Sequence, residues 1–297
     1  MGKNGTPRAD LDWTPAPPER WSGRRVWVVG GTNGIGRALA RRLADQGAHV
    51  TVVGRTLRDD GVPNLAFRRA DLSSLREARS LAEDIPARHV ELVILTTGVF
   101  ATPQRTVTAE GIERDLAISY LSRFVLMRAL APRLGTSVEA RPRVFVMGFP
   151  GTGEVGHVDD PNSEQSYQPI RAHLNTVAAN EALVLDAVVR YPHLDTFGLN
   201  PGLIQTDIRG DFFGHGTWSH RLLETLIGFV TPSTESYAER IVPLLGASEL
   251  DGRSGVHFNK RGTAIRPSPG LSDGLVARWM SASERLVDRA LAPAEAR

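Results

Sequence analysis

The sequence predicts one α/β domain: a parallel sheet, doubly wound, with helices on both faces. Three observations predict it. Short, β-branched apolar runs recur along the chain, and stretches with helical spacing of apolar residues separate them. The first run, Val26–Val29, ends in a glycine turn that opens directly into a helical pattern. Strands buried on both faces read as near-continuous apolar runs, and parallel strands need long crossovers, which helices supply.

Val28–Gly36 reads VVGGTNGIG, with Gly30, Gly34 and Gly36 spaced G-x-x-x-G-x-G. Ile35, Leu39 and Leu43 then fall on one helical side, and Arg37, Arg41 and Arg42 fall mostly on the other. Strand, glycine turn and helix in that order form the opening of a dinucleotide site. The glycines let backbone approach a pyrophosphate, and the N–H groups at the helix start attract its charge. Further strands are expected at His49–Gly54, Leu65–Ala70 and Glu91–Thr96, with a helix over Leu75–Ile85. A longer helix is expected over Gly111–Leu134, where Ile112, Leu116, Leu121, Phe124, Val125 and Leu130 make a broad apolar face. Val144–Met147 is the next strand, Tyr167–Tyr191 a helix stopped by Pro192, and Leu194–Leu199 the strand after it. Beyond Pro201 the pattern predicts helices at Trp218–Phe229 and Thr234–Leu245, a short strand at Val256–Phe258 and a last helix at Leu271–Leu291.

The 297 residues are 41 % hydrophobic, enough for a substantial core, and no window approaches the roughly 18 apolar residues of a membrane span. Residues 1–23 are polar and rich in proline (Pro7, Pro15, Pro17, Pro18), and are expected as a flexible arm. The main domain is expected over 24–260 with a substrate-side insertion near 203–230, followed by a helical extension over 261–297. The absence of cysteine excludes a disulfide scaffold and a thiolate metal site, and fits a cytoplasmic protein. No His/Asp/Glu grouping has metal-ligand spacing, and Asp159–Asp160 beside His157 read as a solvated loop, so no metal is expected. Thirty-five basic against 33 acidic side chains leave a formal charge of +2. The arginines are scattered, without a basic tract interleaved with aromatics, which argues against a nucleic-acid partner.

The strand after the glycine helix ends in Gly54–Arg55, where a site for NAD would carry an acid to bind the ribose hydroxyls. Arg55, with Arg37 or Arg58 beside it, is suited instead to pair with a 2′-phosphate, so NADP is the expected cofactor. Asp71 is placed to accept from an adenine amino group with Leu72 packed on the ring, a role compatible with capping the helix that follows.

With these features in place the chain resembles the short-chain dehydrogenase/reductase superfamily over about residues 24–260. The resemblance rests on Gly30/Gly34/Gly36, on Asp71–Leu72, on Gly98 closing a fourth-strand motif, on Tyr167 at a helix start, and on Asn200–Pro201–Gly202 followed by Thr206. It implies a Rossmann-type fold with cofactor contacts from Gly30, Thr32, Asn33, Gly34, Ile35, Gly36, Arg55, Asp71, Leu72, Thr97, Gly98, Tyr167, Arg171, Pro201, Gly202, Ile204 and Thr206. It also implies four catalytic positions: a Tyr that exchanges a proton with substrate, a Lys that lowers its pKa, a Ser that polarises the carbonyl, and an Asn that fixes a relay water. Here the four positions hold Tyr167, Arg171, Gly148 and Ser119, and Thr96–Thr97–Gly98 stands where the family usually has Asn–Ala–Gly.

Arg171 keeps a positive charge one helical turn from Tyr167 but cannot release its proton. Ser119 can still position a water. Gly148 offers no hydroxyl, and losing one oxyanion donor typically costs ~3 kcal/mol. Ser166, Asn162 and Gln165 are candidates to compensate. His173, two residues beyond Arg171 on another helical face, is expected as a satisfied or surface histidine and not as a base. Three functions follow: an NADP-dependent oxidoreductase on a carbonyl/alcohol pair, an NADP-binding cyclase, isomerase or dehydratase without net hydride transfer, and a cofactor-binding protein without catalysis. Phe149, Phe212, Phe213, Trp218 and Phe229 suit a bulky, apolar small-molecule substrate. The family also implies a homo-oligomer, here with Ala172, Thr176, Ala179, Leu183 and Ala187 near the seam between copies.

Overall fold

In the computed structural model, described over residues 5–8, 10–202 and 233–293, the strands form one sheet in the order β3-β2-β1-β4-β5-β6-β7-β8. These are β1 (Arg25–Val29), β2 (His49–Gly54), β3 (Leu65–Arg69), β4 (Leu92–Leu95), β5 (Arg143–Met147), β6 (Asp195–Leu199), β7 (His257–Phe258) and β8 (Ala264–Ile265). Every pairing from β3 to β7 is parallel, and only β8 runs antiparallel. The order reverses between β1 and β4, so the crevice at their carboxyl ends is the place where such sheets bind ligands.

Helices α1 (Gly34–Asp45) and α6 (Thr234–Leu245) cover one face; α2 (Leu75–Asp84), α4 (Ser122–Leu130), α5 (Pro169–Arg190) and α7 (Asp273–Leu291) cover the other. The buried runs Val26–Val29 of β1, Leu92–Leu95 of β4 and Val144–Met147 of β5 need both layers, because residues on alternate sides of each are apolar. The long helix expected over Gly111–Leu134 is in three parts: α3 (Arg114–Leu116), a π-helical turn (Ala117–Leu121), and α4. A π turn inside a helix frees local carbonyls and commonly marks a functional position.

Three expectations are corrected. The N-terminal arm is packed onto the sheet over its described residues: Leu11 and Trp21 are buried, Arg8 N–H donates to the Ala264 carbonyl, and the Trp13 indole donates to the Gly262 carbonyl at 2.7 Å. Its prolines forgo backbone donors, but the aromatic rings between them gain apolar burial. Helix α5 starts at Pro169, not at Tyr167. Gln168 is held extended by the proline after it, and a proline is well placed in the first helical turn, so Tyr167 falls outside the helix. The third concerns the residues expected near a seam between copies. Ala172, Thr176, Ala179, Leu183 and Ala187 are buried within the single chain, where α7 lies along α5 and contributes Val276, Trp279, Met280, Leu286 and Val287 to the same core. No helix among the described residues is long and apolar enough to cross a membrane.

Candidate active site

The turn after β1 is built for close backbone approach. Gly30 adopts φ +91°, and a Cβ there would lie 2.6 Å from the Thr97 backbone nitrogen. A Cβ on Gly36 would lie 3.0 Å from the Gly30 carbonyl carbon and closer still to its oxygen and to Thr96 Oγ1. Glycine is therefore sterically required at both positions, and α1 begins against the end of β4. Asn33 precedes α1 in an extended conformation and makes no side-chain cap, so the first N–H groups of the helix face the turn. Thr32 leans over Gly54 at the end of β2, where a Cβ would strike its side chain, and Ile35 packs partly buried into the core under α1.

Beyond Gly54, Arg55 is exposed. Arg37 is already committed: its guanidinium donates in bidentate fashion to Asp59 at 2.8 and 2.6 Å, and the Arg41 guanidinium adds a third bond at 3.3 Å. Arg58 donates to Asn33 Oδ1 at 3.3 Å. Of the three arginines expected around a 2′-phosphate, Arg55 is the one that none of these bonds engages. Asp71 accepts at Oδ1 from both the backbone and hydroxyl of Ser73; burial opposes its ionisation, but these bonds outweigh it and hold the carboxyl below its ordinary value. Leu72 is buried in the core cluster under α2. Buried Thr97 Oγ1 has no protein partner, an unmet polar atom beside the glycine turn. Pro201 and Gly202 close the far side: Gly202 N–H donates to Asn200 Oδ1, and the Asn200 amide donates to the Pro150 carbonyl. Ile204, Thr206, Phe212, Phe213, Trp218 and Phe229 lie outside the described residues.

The ends of β4 and β5 carry a second cluster. Arg123, on α4, is buried at 3 % exposure, and its guanidinium donates to the carbonyls of Thr97 and Met147 and to Asn180 Oδ1. Burial pulls its pKa down to about 9. The Asn180 amide donates to the carbonyl of Ser119 in the π turn at 2.8 Å, and to Thr176 one helical turn back. Ser119 Oγ accepts from Val99 N–H at 3.0 Å and donates to Asp115 Oδ1 at 2.5 Å. The other oxygen of Asp115 bonds His173 Nδ1 at 2.8 Å, and the His173 ring rests on Phe100 with centroids 4.6 Å apart. His173 is therefore the satisfied histidine of the two expectations for it: with α5 beginning at Pro169, it falls in the helix's opening turns, opposite α3.

Comparison with known proteins places this geometry. Residues 24–141 match the family model described as short chain dehydrogenase. An uncharacterised oxidoreductase of Saccharomyces cerevisiae is 46 % identical over 273 residues, covering 90 % of this chain and 88 % of that one. The chain belongs to the short-chain dehydrogenase/reductase family. Polyprenol dehydrogenase of Mus musculus is 32 % identical, covering 86 % of this chain and 81 % of its own. A crystal structure of an uncharacterised protein from Mycobacterium paratuberculosis superposes with a TM-score of 0.65 at 21 % identity, covering 96 % and 98 % of the two chains, and speaks for the fold.

Set against the family's four catalytic positions, this short-chain dehydrogenase/reductase keeps little of the usual arrangement. Tyr167 lies before α5, and its hydroxyl donates to the Thr102 carbonyl at 2.5 Å. Burial pushes the phenol's pKa up, and the carboxylates of Glu113 and Asp115 push it further, the reverse of what a proton-donating tyrosine needs. Arg171, half-buried on the first turns of α5, is not stacked one helical turn above Tyr167, because no helix joins them. A Cβ on Gly148 would meet only Asn180 Cβ at 3.5 Å, an ordinary contact. Asn162 is spent on the loop: its side chain bonds the Glu113 backbone, the Gly111 carbonyl and Glu164. Gln165 and Ser166 are exposed, their backbones capped by Asp160. Sequence reasoning missed Asp115, Arg123 and Asn180. The legible signals were the Asp115–Ser119 spacing of one helical turn and an arginine, Arg123, next to the apolar stretch Phe124–Met127.

Proposed function

We propose that the chain is an NADP-dependent oxidoreductase that interconverts a carbonyl and an alcohol on a bulky, apolar small molecule in the cytoplasm. The observation that carries the reading is the glycine cradle leading to an exposed arginine, Arg55, at the end of β2, where an NAD site would hold an acid. The cradle fits a dinucleotide: no Cβ is tolerated at Gly30 or Gly36, the α1 N–H groups face the turn, and Thr97 Oγ1 awaits a partner. Arg55 would pair with the 2′-phosphate, the turn from Gly30 to Gly36 would hold the pyrophosphate, and Asp71, Leu72, Thr97 and Gly98 would border the adenosine half. When bound, the reduced nicotinamide supplies a hydride. Ser119, and the half-buried Phe100 on the ring of His173, bound the protein side of the site beyond Gly98. An apolar substrate accords with the name of the mouse relative, which specifies a polyprenol.

A second reading, NADP binding with cyclisation, isomerisation or dehydration and no net hydride transfer, is favoured by two observations: Gly148 provides no carbonyl-polarising hydroxyl, and the Tyr167 proton is given to Thr102. Two measurements separate the readings. Titration with NADPH and NADH should show NADPH binding more tightly, and Arg55→Ala should weaken NADPH alone by roughly 10- to 100-fold, the loss of one charge-assisted contact of about 1.5–3 kcal/mol. Equal affinities unaffected by R55A would refute the phosphate assignment. Incubation of apolar ketones, aldehydes and quinones with 4-deuterated NADPH should place deuterium in the product. Product of unchanged mass would replace the oxidoreductase with the non-redox enzyme.

A further inference from the structure

Resting on the oxidoreductase reading, we infer that His173, held by the buried carboxylate of Asp115, is the residue that exchanges the proton with the substrate oxygen. The two are joined to the glycine turn by an unbroken line of contacts. Gly30 abuts Thr97; a Cβ on Gly98 would lie 3.7 Å from Ser119 Oγ; Ser119 bonds Asp115; and Asp115 bonds His173. The pair thus stands just beyond the β4 end, where the sheet order reverses.

The hydrogen bonds settle which atom is left for chemistry. Ser119 Oγ accepts from Val99 N–H, and of the two acceptors its hydroxyl can reach, Asp115 Oδ1 at 2.5 Å is nearer than the Val99 carbonyl at 3.3 Å. Asp115 is fully buried and accepts at its other oxygen from His173 Nδ1–H. With Nδ1 committed to the carboxylate, Nε2 is the nitrogen that takes up or gives a proton. The His173 side chain is 24 % exposed, while the Asp115 side chain is 0 % exposed, so the imidazole reaches solvent and its partner does not. Phe100 supports the ring face. The charged and titratable groups around the pair include Glu113 on the turn before α3, Tyr167 before α5 and Arg123 on α4, on all three of which Asp115 acts electrostatically, with Arg105 acting on Glu113 and Tyr167.

In reduction, the carbonyl carbon gains the hydride and its oxygen takes the proton from Nε2 of the imidazolium. The C=O π pair becomes the second bonding pair on oxygen, and neutral His173 regains a proton from water. Oxidation runs the same atoms backwards. Asp115 touches no substrate in this scheme; it is a positioning residue that fixes the tautomer and the orientation of the ring.

The test uses the full chain with NADPH and a panel of apolar ketones, aldehydes and quinones. His173→Gln should lower kcat by about 100-fold or more, the ordinary worth of a general acid, and leave the NADPH dissociation constant unchanged. H173A should regain activity when imidazole is added, which a purely structural histidine would not do. Asp115→Asn, provided NADPH still binds, should lower kcat by about 100-fold or more with KM little changed, because the amide can offer its own N–H to Nδ1 and hold the wrong tautomer. H173Q within threefold of wild type, or H173A without rescue by imidazole, would overturn the inference while wild-type turnover upholds the oxidoreductase. Absence of any carbonyl-dependent NADPH oxidation by the wild type would overturn both.

Discussion

Replacing Gly36 with alanine should damage both the fold and the nucleotide turn, although the same change improves most helices. In a helix interior, Gly→Ala ordinarily gains about 1 kcal/mol. Here the added methyl would lie 3.0 Å from the Gly30 carbonyl carbon, and nearer to the Gly30 oxygen and Thr96 Oγ1. The obstacle is largely backbone, which no rotamer change relieves, so the overpacking cost belongs at the upper end, about 3 kcal/mol. The net loss is roughly 2 kcal/mol, and for a chain of this size each kcal/mol moves Tm by about 2 °C, giving a fall of ~4 °C. Because the strain is relieved by moving α1 away from the turn, NADPH affinity should fall at least tenfold, about 1.4 kcal/mol. Thermal unfolding and NADPH titration of G36A, beside Gly274→Ala as a control in α7 whose Cβ would meet nothing within 4 Å, read both effects. G36A with the Tm and NADPH affinity of wild type would refute the close-approach argument.

Gly148→Ala should be tolerated and raise stability by about 0.4–1 kcal/mol through the unfolded chain, since its Cβ finds only Asn180 Cβ at 3.5 Å; denaturant unfolding checks it, and a loss above 1 kcal/mol would contradict the open space. The Arg37 guanidinium holds the Asp59 carboxyl below its ordinary 3.8, so the stability this pair adds is present above that value and lost as pH falls through the lower folded pKa. The gap in urea midpoint between wild type and Asp59→Asn should therefore narrow between pH 5 and pH 3, and a gap independent of pH would show the pair contributes nothing through ionisation.

The sheet was legible because its strands are buried on both sides: β1, β4 and β5 read as apolar runs whichever way they face. The glycine turn was legible because steric exclusion leaves only one residue type at Gly30 and Gly36. The catalytic corner was not, and the cause is local. Tyr167 sits at the expected spacing before Arg171, but Pro169 moves the helix start two residues along and takes the tyrosine off the helix. Pairings such as Asp115 with His173 join residues 58 apart, and no periodicity within either helix carries information about the other. The C-terminal helix was visible as an amphipathic stretch, but its destination over α5, which covers the residues expected to meet a second copy, depends on the tertiary path of the chain.

The π turn over Ala117–Leu121 makes this corner sensitive to chain length as well as to residue identity. It takes up one residue more per turn than the α-helix on either side, while Asp115 lies ahead of it and Arg123 behind it. Deleting a single residue within that turn would let the helix run as a regular screw and rotate everything upstream by about 100° relative to α4. Asp115 would then point away from His173 while Arg123 kept its grip on Thr97 and Met147. An insertion or deletion in this turn thus uncouples two parts of the site that no single side-chain exchange separates, and the number of residues between Asp115 and Arg123 is as much a part of the site as either side chain.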